Sequence, residues 1–536
     1  MEDKNVIIFD KIETLIRNGK IQLAKNELAL FSKSKKLLPL ERVRLALFHM
    51  RLGQAYKAIH CINKELAPNQ FNDASTEELC EQAVLAHLLN QMGAQKYARR
   101  LLATIAECTT ARKISLGTTL PDIDRFVANI YFGAYDYPNA LPYFKRALSH
   151  LGNPDSYRYK LTEIGIADVL EGMGNSQKAI EMVTDIGSRT GEDQKLLKAI
   201  CFQARGEYYF RRGENDDYIQ ARRDFETAFT LFDEKIDTKD FAFLKKWSGL
   251  LSLHEGDEAK AHEELETALT ILKTSKNRPT TYLEVFYWLE QIPSYHAPLT
   301  DKLALRCYPL SCPFSNLAGK WDEHGKVLSN SWIAQLFYKL NVSDTNNCWL
   351  IDSQNITEKS YKHFYHEEKK LLENEFIDLL AGLYFTKDEG LYIFSENQTK
   401  ALLTIIGSGS LGVSQWALID SIYDQNFYDP ISGIERINKT IEQLRKHGFE
   451  ITRKDNQYFF ENTANITLLI PKDLHFKGIL EHLKITLKTF KRKDLEEIYK
   501  IKKATANTWI VEWEEKNLIE KSGVGKSSFY TIKNQK

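Results

Sequence analysis

Apolar positions over the first three hundred residues recur at the three- and four-residue spacing of helices. The clearest unit is "FVANIYFGAYDYPNALPYFKRAL", residues 126–148. It predicts a helix, a tight turn around Tyr135–Tyr137, and a second helix carrying Ala140, Phe144 and Ala147. The same spacing returns as Ala179, Val183 and Ile186, as Ala221, Phe225 and Ala228, and as Ala261, Leu265 and Ala268. Gly174, Gly213 and Gly256 stand in the turns before three of these helices; weaker copies centre on Ala24, Ala58 and Ala98, with Gly19, Gly53 and Gly93 before them. A small residue at a helix crossing lets two axes approach, and a large apolar residue one turn on fills the groove. Glycine ends the preceding helix by taking a left-handed conformation.

The pattern changes after residue 277. Pro, Gly, Ser and Asn concentrate between 277 and 326, with a capping helix expected over Tyr282–Gln291. "NSWIAQLFYKL" is expected to be helical, "NCWLID" a strand, and "SYKHFYHEEKKLLENEFIDLLAGL" helical again. "LYFTKDEGLYIF" then offers strands, and "ENQTKALLTII", "VSQWALIDSIY" and "ISGIERINKTIEQLRKHGFEI" three helices, followed by a hairpin in "TRKDNQYFFEN". The last segment repeats the logic: helices at about His475–Thr489, Lys493–Tyr499 and Ala504–Lys516, then a glycine turn and the alternating "SSFYTI".

The repeats resemble the tetratricopeptide repeat. Their spacing runs from 34 residues (Ala24 to Ala58) to 42 (Ala179 to Ala221), like the longer helical repeats attached to bacterial signal-responsive regulators. The resemblance implies a solenoid over residues 1–292 whose concave face binds a peptide, protein or small ligand. Asn129, Tyr131 and Tyr209 are candidates for that groove. Residues 293–379 are a linker and mixed segment without a functional reading.

Two glycine-rich stretches look like phosphate loops and fail the test of context. "GVGKS" at 523–527 lacks the first glycine of G-x-x-x-x-G-K-[ST], since position 520 is Glu520, and the chain stops nine residues after Ser527. Gly407, Gly409 and Gly412 fit G-x-G-x-x-G, but no second strand precedes Asp429. His363, His366 and Glu367 match no zincin order, and Cys307 and Cys312 have no second pair to complete a zinc site. No metal, cofactor or catalytic constellation is expected.

Charge supplies what these motifs do not. The whole chain is formally neutral, yet residues 471–536 hold 15 Lys plus Arg against 9 Asp plus Glu. Residues 380–465 carry no such excess. A basic module on a neutral chain is the footprint of nucleic-acid binding. Helix, helix, turn, helix and hairpin with "EEKNLIEKSGVGKSSFYTI" resembles a winged helix-turn-helix over 466–536, the glycines forming the wing tip. The segment 380–465, with "INKTIEQLRKHGFEITRKDNQYFF", is similar to the winged-helix domain of OmpR-type response regulators.

The resemblance implies a mainly α chain: an α-solenoid followed by two small α+β winged-helix domains. It further implies double-stranded DNA as partner, with Lys502, Lys503, Thr505, Asn507, Thr508 and Lys526 as contacts in the last domain. Arg436, Asn438, Lys439, Lys446, Arg453 and Lys454 are the counterparts in the first. Lys491, Arg492, Lys493 and Lys500 thicken the basic patch. The expected function is a DNA-binding transcriptional regulator whose repeats sense a partner. The alternative is an adaptor whose winged helices bind protein. Seven scattered cysteines and the absence of an apolar run near ~18 residues predict a cytoplasmic protein without a membrane span.

Overall fold

The computed structural model describes, apart from short breaks, residues 8–305, 347–364, 375–487 and 489–533. These fall into two compact units. One holds residues up to Ala297 together with Ser414–Arg436; the other holds the remainder.

The first unit is a tetratricopeptide-like solenoid. After α1 (Ile21–Ser32) come six helix pairs: α2 (Pro39–Arg51) with α3 (Ala55–Cys61), α4 (Thr76–Gln91) with α5 (Gln95–Arg112), α6 (Ile123–Gly133) with α7 (Tyr137–Leu151), α8 (Tyr157–Gly172) with α9 (Ser176–Ser188), α10 (Lys195–Arg212) with α11 (Asp217–Leu231), and α12 (Thr238–His254) with α13 (Glu258–Ser275). Helix α14 (Pro279–Leu289) covers the last pair. Ala24, Ala58, Ala98, Ala140, Ala179, Ala221 and Ala261 are all fully buried, as their place at helix crossings requires. Gly174, Gly213 and Gly256 take φ of 80°, 64° and 82°, the left-handed turn that a side chain resists. Gly19 and Gly53 lie outside the described residues.

A second set of glycines sits inside the first helices of the pairs. A Cβ on Gly206 would come within 2.5 Å of the Phe225 ring, and one on Gly249 within 2.8 Å of Leu265. The large residue of the second helix therefore packs onto bare backbone. Gly206→Ala is expected to overpack this crossing and cost about 1–3 kcal/mol, read by urea unfolding. An unchanged midpoint would mean that the ring swings aside.

The second unit contains a six-stranded sheet in the order β2-β1-β9-β3-β4-β5. Its strands are β1 (Asn347–Ile351), β2 (Ile356–Ser360), β3 (Phe376–Asp378), β4 (Leu383–Phe385), β5 (Leu391–Ile393) and β9 (Thr467–Pro471). The helix expected through residue 383 is corrected here: Phe376–Asp378 is a strand, buried throughout, pairing parallel with β9 and antiparallel with β4. A short continuous apolar run reads equally as a buried strand or a helix segment, and tertiary pairing decides it.

Between β5 and β9 run α15 (Glu396–Ile406), β6 (Val413–Ser414), α16 (Gln415–Ile422), α17 (Pro430–Lys446), β7 (Ile451–Lys454) and β8 (Gln457–Phe460), with sheet order β6-β8-β7. Asp455 and Asn456 both have positive φ, 50° and 64°, giving the two-residue turn that suits a hairpin's twist. Gly407 follows helix α15, not a strand, and a Cβ on Gly412 would strike Phe459 at 2.6 Å. These glycines serve turns and packing.

The chain ends with α18 (Gly478–Thr486), β10 (Thr489–Phe490), α19 (Arg492–Ile498), α20 (Lys503–Glu515), β11 (Ile519–Ser522) and β12 (Phe529–Ile532), the strands ordered β10-β12-β11. Leu483, Phe490, Leu495, Ala506, Ile510 and Trp513 form its core. Gly523 and Gly525 turn the β11–β12 hairpin with φ of 84° and 65°.

Candidate functional sites

First helices of successive pairs touch one another: α8 contacts α10, and α10 contacts α12. Beyond their first turns α8 and α10 present no fully exposed residue. Charged groups nevertheless cross this inner row. Tyr208 on α10 donates its hydroxyl to Asp168 Oδ1 on α8 at 2.6 Å. Arg211 pairs with Glu207 at 2.9 Å and lies 5.0 Å over the Trp247 ring of α12. Lys246 Nζ lies 3.9 Å over the same ring and pairs with Glu284 of α14 at 3.1 Å.

The electrostatics are strained toward neutral acids. Burial, reinforced by the Glu207 carboxylate, pushes Asp168 up to about 7. Burial likewise pushes Glu171 above the ordinary carboxylate range. Burial works against the charge on Arg211, but Glu207 and its other neighbours outweigh it and hold the guanidinium charged. Four polar atoms of this row are buried without a protein partner: Glu171 Oε2, Gln203 Oε1, Arg211 Nε and Trp247 Nε1. Two are acceptors and two are donors. Glu171 is only 9% exposed and Trp247 4%, so unpaired atoms there carry a desolvation cost that a bound polar ligand would remove.

Of the groove candidates read from sequence, Asn129 and Tyr131 lie on α6 and Tyr209 on α10. Tyr131 stacks on Tyr143 with centroids 5.5 Å apart. Tyr209 lies under the Arg212 guanidinium at 5.5 Å. Asn129 is half-buried on α6. Asp168, Glu171, Glu207 and Arg211 were missed, although charges on helices with no exposed face were available as a signal.

In the C-terminal module, α20 opens behind three lysines. Lys500 has a φ of 48°, Lys502 is the N-cap and makes no side-chain capping bond, and Lys503 is the first helical residue. Thr505, Asn507 and Thr508 follow on the exposed side, Thr508 Oγ1 donating to the Ala504 carbonyl at 3.1 Å. Asn507 and Thr508 border a shallow depression with Val511, Glu512 and Glu515. Lys526 lies outside the described residues.

On α17, Arg436, Asn438, Lys439 and Lys446 are exposed. Asn438 Oδ1 accepts from the Tyr458 hydroxyl at 2.8 Å, and Lys446 pairs with Glu442 at 2.9 Å. Arg453, at the hairpin, lies 5.5 Å over the Tyr458 ring. Lys454 pairs with Glu461 at 2.9 Å. His363, His366, Glu367, Cys307 and Cys312 lie outside the described residues.

One further feature belongs to the first unit. Helix α5 has Ala94 at its N-cap and no cap of its own, whereas α4 carries a complete Ser75–Glu78 capping box. The missing cap comes from Asp420 on α16: its two oxygens accept from Tyr97 N at 2.8 Å and Lys96 N at 3.1 Å. Ser414 Oγ donates to the Met92 carbonyl. Trp416 is buried among the apolar residues of α4, α5 and α6. Gly93, at φ 91°, would bring a Cβ within 3.1 Å of Ala417.

No family model matches the chain, and no curated protein matches it. Among solved structures it is similar to the Rap protein complexed with competence and sporulation factor, at 12% identity and a TM-score of 0.43, over 63% of this chain and 98% of that one. It is similar to NprR in complex with its cognate peptide NprX, at 14% identity and 0.43, over 62% and 97%. It is also similar to a tetratricopeptide repeat protein from Parabacteroides merdae, at 17% identity and 0.33, over 50% and 93%. No helix of the described residues is long and apolar enough to cross a membrane.

Proposed function

We propose that the chain is a DNA-binding transcriptional regulator. Its repeat unit takes a peptide or protein partner on the polar row across α8, α10 and α12, and its two C-terminal modules act as winged helices on duplex DNA. No catalytic role is assigned.

The observation that carries the DNA reading is the start of α20. Positive charge at a helix N-terminus opposes the helix dipole and costs stability. Lys502 and Lys503 accept that cost beside backbone N–H groups with no side-chain cap, an arrangement suited to a phosphate. The order α18, β10, α19, α20, β11–β12 supports a winged helix, with the polar N-terminal part of α20 meeting base edges and the lysines meeting phosphates.

The test is binding of the full chain to duplex DNA across a salt series. Log affinity is expected to fall linearly with log salt. The Lys502→Ala/Lys503→Ala double variant should weaken binding on all sequences and lower the salt slope by about 2. Binding without salt dependence, or none at all, would replace DNA by a protein partner for this module.

A further inference from the structure

The end of α8 carries charge of the wrong sign for its place. A helix C-terminus favours cations, and α8 has no basic residue in its last turn. It has Glu171 there instead, with Asp168 three residues earlier on the same face. Glu207 of α10 is a third carboxylate within electrostatic reach of both. Against these three acids stands one guanidinium, Arg211, which pairs with Glu207 at 2.9 Å. The neighbouring cations are committed elsewhere: Arg212 to Asp217 at 2.7 Å and Lys246 to Glu284 at 3.1 Å. Lys160 donates to the Arg189 carbonyl at 2.6 Å.

The acids are held in place. Asp168 accepts from the Tyr208 hydroxyl. Ser176 donates to the Glu171 carboxylate, yet Glu171 Oε2 is buried with no protein partner. The residue is only 9% exposed, so that oxygen is not satisfied by open solvent. Asp168 and Glu207 are half-buried and can be reached from the inner face of the row. Tyr137, at the start of α7, lies beside them: a Cβ on Gly172 would come within 2.4 Å of its ring. Bare backbone at Gly172 is what lets the ring approach the end of α8.

We propose that this end of the row is a binding site for an organic cation, an ammonium or guanidinium group of the partner, seated between Asp168 and Glu171 beside the Tyr137 ring. The inference deepens the reading of the row as a partner site and rests on it. Such a group supplies the missing positive charge, donates an N–H to Glu171 Oε2 and meets an aromatic neighbour that attracts cations. Burial pushes both acids toward the neutral form, and Glu207 adds to it. In the empty site a proton therefore does part of what the cation would do. The free chain bears a cost at this point that the bound cation offsets.

The experiment is isothermal titration calorimetry on the full chain with three probes of similar shape: n-butylguanidinium, n-butylammonium and the neutral n-butylurea. The two cations should bind, and n-butylurea should bind about tenfold or more weakly, as loss of a hydrogen bond between charged groups entails. Glu171→Gln should weaken the cations to the level of the urea. Asp168→Asn should do the same while leaving the Tyr208 hydroxyl an acceptor. Both variants should raise the urea midpoint of the free chain, since each removes an uncompensated buried charge. Equal binding of n-butylurea and the cations overturns the charge requirement. Absence of binding by every probe overturns the site. A lowered urea midpoint in both variants also overturns it, because it would make these acids internal struts. A chain that binds the cations with this pattern but takes no peptide or protein partner keeps the cation site and removes the partner reading.

Discussion

Replacing Trp416 by alanine is expected to destabilise the repeat unit by about 3–5 kcal/mol, the range for removing a large aromatic from a packed core. Trp416 is 1% exposed and sits in one cluster with Leu79, Val84, Leu101 and Phe126. Each of these is 290 or more residues from it in sequence, so a local view of the segment would predict a mild effect confined to residues 414–422. The unit-wide loss should appear in urea unfolding followed by far-UV circular dichroism. Trp509→Ala is the control: Trp509 is half-buried on α20 and belongs to the other core. A Trp416→Ala cost below about 1 kcal/mol, the ordinary value for an arbitrary substitution, would mean that the segment is not part of the repeat core.

That contrast marks the boundary of what the sequence made legible. The repeats were readable because their signal is local and repeated: a buried alanine and a bulky residue one turn on, written seven times over. The three C-terminal helices were placed to within a few residues for the same reason, each showing apolar residues at helical spacing. The strand at Phe376–Asp378 was misread because its identity depends on β9, some ninety residues on. The glycines that receive Phe225 and Leu265 left a signal, since a mid-helix glycine costs about 1 kcal/mol against alanine and needs a reason. Asp420 left none: an aspartate on an amphipathic helix reads as a solvated residue until its partner helix is in place. The polar row failed differently. Asp168, Glu207 and Arg211 are visible as charges, but only the packing of α8, α10 and α12 shows that they share one inner face.

Within that row, removal of Glu284 alone should be costly and removal of its pair should not. Lys246 and Glu284 are 4% and 14% exposed in their side chains, at 3.1 Å. Glu284→Ala leaves a buried ammonium without its counter-charge, a loss of about 3–5 kcal/mol. The double variant Lys246→Met/Glu284→Leu removes the desolvation cost of both charges and is expected to fall within about 1 kcal/mol of the wild type, since well-packed apolar residues replace buried ion pairs at little or no net cost. A double-mutant cycle by urea unfolding measures the coupling. Additive single and double effects would show that the two charges act independently. The double variant has a second use, because it folds while altering the row: Lys246 no longer covers the Trp247 ring, and Arg211 loses one of the acids that hold its charge. A charged pair kept for stability alone can be exchanged without consequence for a partner. A pair kept as part of a recognition surface cannot, so loss of partner binding by a stably folded double variant is the result that separates a ligand-binding row from an internal strut.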